Sequence, residues 1–221
     1  MGFFGKFFSS PAVSVRADNA RFSVIDTETT GLDPHNGDRI IELAAVAFDS
    51  RFNELDRWES LIRPGETPVL NSALHGITNE MLDTAPVFGT VYRSFANFID
   101  GTVLIAHNAP FDAGMLDAEI TRIRPHSADT VELPFVDSIA LARQQLPHGP
   151  YRLSALLERM GLENPHAHSA AADAAATGAM LSALFGDNID GLSRELQKMP
   201  VFSCMHTSQW GLPYGRPMPR E

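Results

Sequence analysis

Two acidic residues, Asp26 and Glu28, end an apolar run that begins at Phe22. Side chains alternate between the two faces of a β-strand, so these carboxylates are expected on one face, about 7 Å apart along the chain. Two such anions repel each other unless a cation lies between them. Carboxylate oxygens favour Mg²⁺ or Mn²⁺, and the sequence has no cysteine or histidine cluster that would favour zinc. The pair therefore indicates a divalent metal site, and two solvated acids at a strand end are the alternative.

Three more residues carry side chains that could complete this chemistry. Asp112 follows another apolar run, and His168 precedes Asp173 in an alanine-rich segment. Several carboxylates can bridge two metal ions that clamp a phosphodiester, and a histidine can deprotonate the attacking water. Alternatively, each of these two acids only complements a helix dipole, and His168 is a surface residue. Together with the first pair, the three residues form an interpretable set for metal-dependent hydrolysis.

These residues must be positioned by strands and helices, which the hydrophobic pattern predicts. Five strands are expected, the first three as a meander, at residues 22–32, 39–48, 53–63, 102–106 and 135–136. Helices are expected near 91–99, from Pro110, from Asp137 toward Leu146, at 153–160 and at 169–185, with two short helical turns around 75–78. Asp112 then lies in the first turn of its helix, whereas Asp137 only caps the next helix.

The start of the last helix decides whether His168 and Asp173 can share a site. If both residues were helical, their side chains would point about 140° apart around the helix axis. With Ser169 as the N-cap, His168 becomes N′ and Asp173 becomes N4, the two positions that meet in a hydrophobic staple. This capping arrangement predicts that the two residues come together.

Composition limits the classes of function. The 221 residues suit one domain at 20–186, with an apolar arm at 1–19 and a C-terminal tail at 187–221 that carries a short helix around 192–198. The net charge of -10 argues against a broad basic surface that grips nucleic acid, but not against a substrate bridged by metal. The single cysteine cannot form an internal disulfide and no segment reaches transmembrane length, so a cytoplasmic location is expected.

Three ordered motifs resemble those of a known family. They are Asp26-Thr27-Glu28-Thr29-Thr30-Gly31-Leu32, His107-Asn108-Ala109-Pro110-Phe111-Asp112, and His168 followed five residues later by Asp173. The sequence resembles the DEDDh 3′→5′ exonucleases. The stretch His75-Gly76-Ile77-Thr78 makes it most similar to the proofreading branch, the epsilon subunits of bacterial DNA polymerase III. The similarity covers about residues 20–185, which makes 20–186 the expected exonuclease domain.

The resemblance implies a ribonuclease-H-like α/β fold with a mixed five-stranded sheet flanked by helices. It implies that two Mg²⁺ or Mn²⁺ ions are bound by Asp26, Glu28, Asp112 and Asp173, with His168 as the general base. Substrate contacts are implied at Thr29, at the backbone near Thr30, and at Leu32, His75 and Asn108. His107 is expected to be buried or to support these residues, and not to act as a rival base.

The implied activity is hydrolysis of single-stranded DNA 3′ ends to 5′-mononucleotides, as in proofreading or DNA repair. RNA trimming is the alternative within this class, because the motifs do not report tolerance of a 2′-hydroxyl. A hypothesis from another class is an accessory protein that docks partners through its Phe-rich arm and its Pro/Met/Trp tail. The intact acidic positions and His168 argue against a loss of catalysis. Both roles can coexist, since an epsilon-like chain would also bind a polymerase.

Overall fold

A computed structural model of the chain describes residues 20–123, 133–186 and 202–203. Its strands are β1 (Phe22–Thr29), β2 (Ile40–Phe48), β3 (Glu54–Leu61), β4 (Val103–Ala106), β5 (Pro134–Asp137) and β6 (Phe202–Ser203). Its helices are α1 (Ser72–His75), α2 (Asn79–Leu82), α3 (Phe88–Ile99), α4 (Ala109–Ile123), α5 (Ser138–Gln145), α6 (Leu153–Arg159) and α7 (Ala170–Phe185). The predicted strands and helices that fall on these residues are all present.

Within the described residues, six strands form one sheet in the order β3-β2-β1-β4-β5-β6. β1 and β3 pair antiparallel with β2, whereas β4 lies parallel to β1 and β5 lies parallel to β4. The predicted meander and mixed sheet are therefore confirmed. All five predicted strands lie in this sheet, and Phe202–Ser203 adds a sixth at its edge by pairing antiparallel with β5. Two residues are too few to show an alternating pattern, so this strand is defined only by its distant partner.

The predicted division into arm, domain and tail stays a prediction. The arm at 1–19 and the helix around 192–198 lie outside the described residues, and β6 falls inside the range predicted as the tail. Among the helices described here, none combines the length and the apolar character that crossing a membrane requires.

The sheet separates two hydrophobic layers. Ile25 of β1 belongs to the layer that packs against α3 and α4, and Val24 belongs to the layer that packs against α5, α6 and α7. The same alternation places Thr27 on the first side, and Asp26 and Glu28 on the second. The polar end of β1 is therefore shared by both helical layers.

Helix α7 approaches the sheet closely because small residues line the contact. Ala44 of β2 packs against Ala170 and Ala171 in the first turn of α7. Farther along, a Cβ at Gly178 would lie 2.2 Å from the ring of Phe48, so only glycine fits there. These small residues bring the N-terminus of α7 to the polar end of β1.

Candidate functional site

Asp26 and Glu28 are buried near the end of β1, with 7% and 1% of their surface exposed. In the neighbouring strand β2, Ala44 pairs with Asp26 and Glu42 pairs with Glu28. The burial contradicts the alternative of two solvated acids at a strand end. Two buried carboxylates at this spacing are costly unless a cation compensates their charge, so the geometry suits a metal.

Asp112 reaches the same strand end from the opposite helical layer. It lies in the first turn of α4, as predicted, and is fully buried. Its Oδ1 accepts a hydrogen bond of 2.8 Å from the Thr27 hydroxyl. Because Thr27 lies between Asp26 and Glu28 in the sequence, this bond ties Asp112 to the same strand end. Thr27 was not among the predicted site residues, although its place between two acids was an available signal in the sequence.

The start of α7 brings His168 and Asp173 together. Ser169 is the N-cap, as predicted, although its side chain makes no capping hydrogen bond. The backbone N–H of His168 donates to Asp173 Oδ2 at 3.2 Å, which forms the predicted contact between N′ and N4. His168 has a φ of 68°, in the left-handed region that residues other than glycine rarely adopt. Such a conformation persists only when surrounding contacts hold it.

Ligand atoms from the two elements converge. One side-chain ligand atom each of Glu28, His168 and Asp173 lie within 4.8 Å of one another. This group shares two carboxylates with the predicted metal set and adds the His168 ring, whereas Asp26 and Asp112 are not part of it. Carboxylate oxygens with one imidazole suit a hard divalent cation, so the residues fit Mg²⁺ or Mn²⁺. The role of each residue stays a prediction.

Two residues that sequence analysis missed hold this region in place. Asn164 donates from its amide nitrogen to Asp173 Oδ1 at 2.5 Å. Glu42 accepts the backbone N–H of Ala170, the first residue of α7, at 2.8 Å. Burial raises the pKa of the Glu42 carboxyl; the bond from Ala170 opposes this shift, and the nearby charges of Glu59 and Asp173 add to it.

His75 of α1 lies close enough to His168 for the two side chains to interact electrostatically. Its Nδ1 accepts the backbone N–H of Ile77 at 3.1 Å, so the neutral ring carries its proton on Nε2. That Nε2 is buried and has no hydrogen-bond partner among the described residues. Burial lowers the pKa of His75, and the charge of His168 lowers it further. The neutral ring thus presents a buried N–H donor that a bound ligand could use.

Three other predicted substrate residues, Thr29, Thr30 and Leu32, lie at the end of β1 and in the loop after it. The fourth, Asn108, lies between β4 and α4 and has a left-handed φ of 71°. The Thr29 hydroxyl donates to the carbonyl of Gly31 at 2.7 Å, and the Thr30 hydroxyl donates to Asp38 at 3.2 Å. A Cβ at Gly31 would lie 2.4 Å from the Asp38 carboxylate, so this close approach requires glycine. Both threonine hydroxyls therefore shape the loop itself. Leu32, which is 52% exposed, leaves an apolar side chain available to a ligand.

His107 is engaged by its neighbours through both ring nitrogens. Its Nδ1 lies 2.8 Å from the Ser138 hydroxyl, and its Nε2 lies 2.9 Å from the carbonyl of Tyr151. Since a carbonyl only accepts, Nε2 carries the proton and Nδ1 accepts from the hydroxyl. The ring is therefore a structural link and not a rival base, as the sequence analysis expected.

Asp137 caps α5, as predicted, and also fastens α4. Its Oδ1 accepts the backbone N–H groups of Ile139 at 3.1 Å, Asn108 at 3.1 Å and Ala109 at 3.4 Å. Burial raises the pKa of the Asp137 carboxyl, and these hydrogen bonds only partly offset that shift. Asp137 thus lies outside the candidate site but anchors the helix that carries Asp112.

Known nucleases share both the sequence pattern and the fold. The sequence model of the family described as Exonuclease, RNase_T, matches residues 23–181. DNA polymerase III subunit epsilon of Rickettsia typhi is 35% identical over 167 residues, which is 74% of this chain and 73% of that protein. Exonuclease X in complex with 5′-overhanging duplex DNA has a TM-score of 0.60 at 26% identity, covering 77% of this chain and 93% of that chain. The zinc-bound complex of Escherichia coli exonuclease I with single-stranded DNA has a TM-score of 0.67 at 23% identity, covering 82% of this chain and 43% of that chain. The predicted ribonuclease-H-like α/β fold is confirmed.

Proposed function

This chain belongs to the RNase_T exonuclease family, as an epsilon-like exonuclease of the DEDDh type, and we propose that it hydrolyses single-stranded DNA 3′ ends to 5′-mononucleotides. The observation that carries the proposal is the convergence of Glu28, His168 and Asp173 within 4.8 Å at the end of β1. The hydrogen bond from Thr27 holds Asp112 at the same end of β1. The relationship to a DNA polymerase subunit and to a nuclease solved with DNA favours DNA as the substrate.

The carboxylates are proposed to hold two Mg²⁺ or Mn²⁺ ions, as the set Asp26, Glu28, Asp112 and Asp173. When bound, the ions supply Lewis-acid activation and neutralise the negative charge that develops on the phosphodiester oxygens. The burial of three of these acids supports this assignment, because their mutual repulsion in a site shielded from water favours a bound cation.

His168 is the residue we assign as the general base. Its ring nitrogen lies within 4.8 Å of carboxylate oxygens of Glu28 and Asp173, so a water held among these groups is within its reach. The residue is only partly buried, which lets it pass the accepted proton to solvent. The ring must be neutral to accept a proton from that water.

The terminal nucleotide is proposed to contact Leu32 and His75. The exposed Leu32 side chain offers an apolar surface to a base, and the Nε2–H of His75 offers a donor to a sugar or phosphate oxygen. Thr29, the backbone of Thr30, and Asn108 complete the proposed contacts. A site that takes one terminal nucleotide favours a 3′ end that is free of a pairing strand, so blunt duplex DNA should be cut more slowly.

The test is incubation of the protein with 5′-labelled single-stranded DNA and RNA of the same sequence, with Mg²⁺ or Mn²⁺ and with excess EDTA. We expect a ladder of DNA products shortened from the 3′ end, and no products in EDTA. A ladder on RNA alone would favour the RNA-trimming alternative. Rapid internal cutting of a circular single strand, or full activity in EDTA, would contradict the proposal.

The relationship to epsilon subunits also supports a polymerase as a protein partner, with residues 187–221 as the docking segment. A pull-down that compares the full chain with variants lacking 1–19 or 187–221 tests this role. If partner binding is lost while the DNA ladder persists, docking and catalysis are separate functions of the chain. A full-length chain that binds the polymerase without cutting DNA would favour the accessory role.

A further inference from the structure

Glu42 is an acidic residue inside the apolar strand β2, where it pairs with Glu28 of β1. Its Oε2 accepts the backbone N–H of Ala170 at 2.8 Å, although 128 residues separate the two. We propose that Glu42 is a positioning residue, which holds the start of α7 so that His168 and Asp173 stay in place. This inference rests on the proposed function, in which the last two residues take part in catalysis.

The N-terminus of α7 depends on an acceptor from outside the helix. The first amides of a helix have no partner within it, and the N-cap side chain commonly supplies one. Ser169 makes no such hydrogen bond, and the carboxylate of Glu42 accepts from Ala170. Strand β2 is thereby joined to the first residue of α7.

The strained backbone of His168 is held by contacts on both sides. On one side, its own N–H donates to Asp173 Oδ2 at 3.2 Å. On the other side, the bond from Ala170 to Glu42 fixes the chain two residues farther on. If the second contact is lost, the first turn of α7 can fray and the left-handed conformation at His168 can relax. Both candidate site residues on this element would then move.

Stability alone does not explain an acid at this position. Glu28 lies opposite Glu42, and the charges of Glu59 and Asp173 also act on it. Like charges opposite each other in a sheet are destabilising. The interaction that Glu42 gains in this unfavourable setting is the bond to α7, which serves the geometry of the site.

The test uses the full-length chain and four variants. They separate the effect of the Glu42 side-chain length from the effect of its negative charge. Glu42→Gln keeps an acceptor oxygen but removes the charge, and Glu42→Ala removes both. Glu42→Asp keeps the charge on a side chain one methylene shorter, so it tests reach even if the alanine variant does not fold. Glu59→Gln is the matched control, because it removes a nearby charge from the exposed side chain on β3. The measurements are Mn²⁺ affinity by calorimetry, and kcat and KM on single-stranded DNA.

We expect Glu42→Gln and Glu59→Gln to stay within about threefold of the wild type in Mn²⁺ affinity and kcat. Glu42→Ala and Glu42→Asp should bind Mn²⁺ about 10- to 100-fold more weakly, the usual loss when a partner behind a metal ligand is removed. Their kcat should fall while KM for DNA changes little, because the substrate-contacting loop after β1 is untouched. Rescue by glutamine distinguishes positioning from charge.

Two outcomes would overturn the proposal. Wild-type Mn²⁺ affinity and kcat in both Glu42→Ala and Glu42→Asp would leave Glu42 as a helix cap only. Equal losses in Glu42→Gln and Glu59→Gln would show that negative charge, and not the bond to α7, is what matters. If the wild type proves to have no nuclease activity, the Mn²⁺ titration still decides the role of Glu42, so the two failures are distinguishable.

Discussion

The two helices that complete the candidate site are held in different ways. On α4, Asp112 is fully buried and receives a hydrogen bond from Thr27 of the central strand. On α7, Asp173 is only partly buried, and the preceding His168 has a left-handed backbone. The site residue on α4 is therefore enclosed in the core. The site residues at the start of α7 are only partly buried and depend more on polar contacts, although the first turn of α7 also packs on Ala44.

The hydrogen bonds that fasten the starts of α4 and α7 also differ. Asp137 fastens α4 and α5 together through three backbone N–H groups. The start of α7 packs on Ala44, and its polar anchors are the long-range bond to Glu42 and the bond from Asn164 to Asp173. Loss of a contact on the α4 side should therefore affect the fold, and loss of a contact on the α7 side should affect the arrangement of the site.

The largest effect is expected for Asp112→Asn in the α4 half. Asparagine keeps an acceptor for Thr27 but removes the charge proposed to bind metal. We expect the exonuclease rate to fall about 10³-fold or more, the scale for an essential catalytic group. The thermal midpoint without metal should hold or rise, because a repulsive buried charge is gone. A large drop in that midpoint with activity retained would show that Asp112 is a structural acid.

His168→Ala should have the next largest effect, and it acts in the α7 half. We expect a rate loss of roughly 10²–10⁴, the range for removal of a general base. Thermal stabilisation by Mg²⁺ should persist, unlike in Asp112→Asn, because the four carboxylates remain. His166→Ala, an exposed histidine in the same loop, is the matched control. A wild-type rate in His168→Ala would assign proton transfer to another group.

A smaller effect is expected for Asn164→Ala, which removes a contact to Asp173 but no proposed ligand. We expect the Mn²⁺ concentration for half-maximal activity to rise about threefold to tenfold, the low end for an outer partner of a metal ligand, because the site is partly exposed here. The midpoint of unfolding without metal should barely change. Tighter Mn²⁺ binding in this variant would instead show that Asn164 competes with the metal for Asp173.

Features with a local signal could be predicted from the sequence. The face shared by Asp26 and Glu28 follows from strand alternation, and the meeting of His168 with Asp173 follows from the N-cap at Ser169. In each case the residues that decide the geometry lie within a few positions of one another. Their burial could not be predicted, because it depends on helices that come from distant parts of the chain.

For contacts between residues far apart in the sequence, the sequence can show that a residue needs a partner but not which residue that partner is. An acid within the apolar run at 40–48 indicates that Glu42 has a buried partner, but the pattern does not name Ala170 as that partner. Asn164 lies in a loop with no periodicity, so nothing marked it. Strand β6 likewise is recognised only by its pairing with β5, which lies far away in the sequence. Topology, and not local propensity, decides these contacts.

The smallest effect is a pH dependence of stability that comes from Asp137. Burial raises the pKa of this carboxyl above its ordinary value of 3.8. Between the two pKa values the folded state binds more protons than the unfolded state, so the free energy of unfolding falls as pH rises through that window. Asp137→Asn cannot ionise but keeps an acceptor oxygen for the amides of α4 and α5.

We therefore expect the free energy of unfolding of Asp137→Asn, relative to the wild type, to increase as pH rises from about 4 and to level off above the raised pKa. Urea unfolding of both proteins across this range measures the difference. Asp137→Ala should be less stable than the wild type by about 1 kcal/mol, because the amides of α4 and α5 lose their acceptor. Parallel curves for the wild type and Asp137→Asn would show that the carboxyl titrates alike in the folded and unfolded chains. The anchor of α4 would then be better hydrated than its burial implies, and the contrast between the two halves of the site would be smaller.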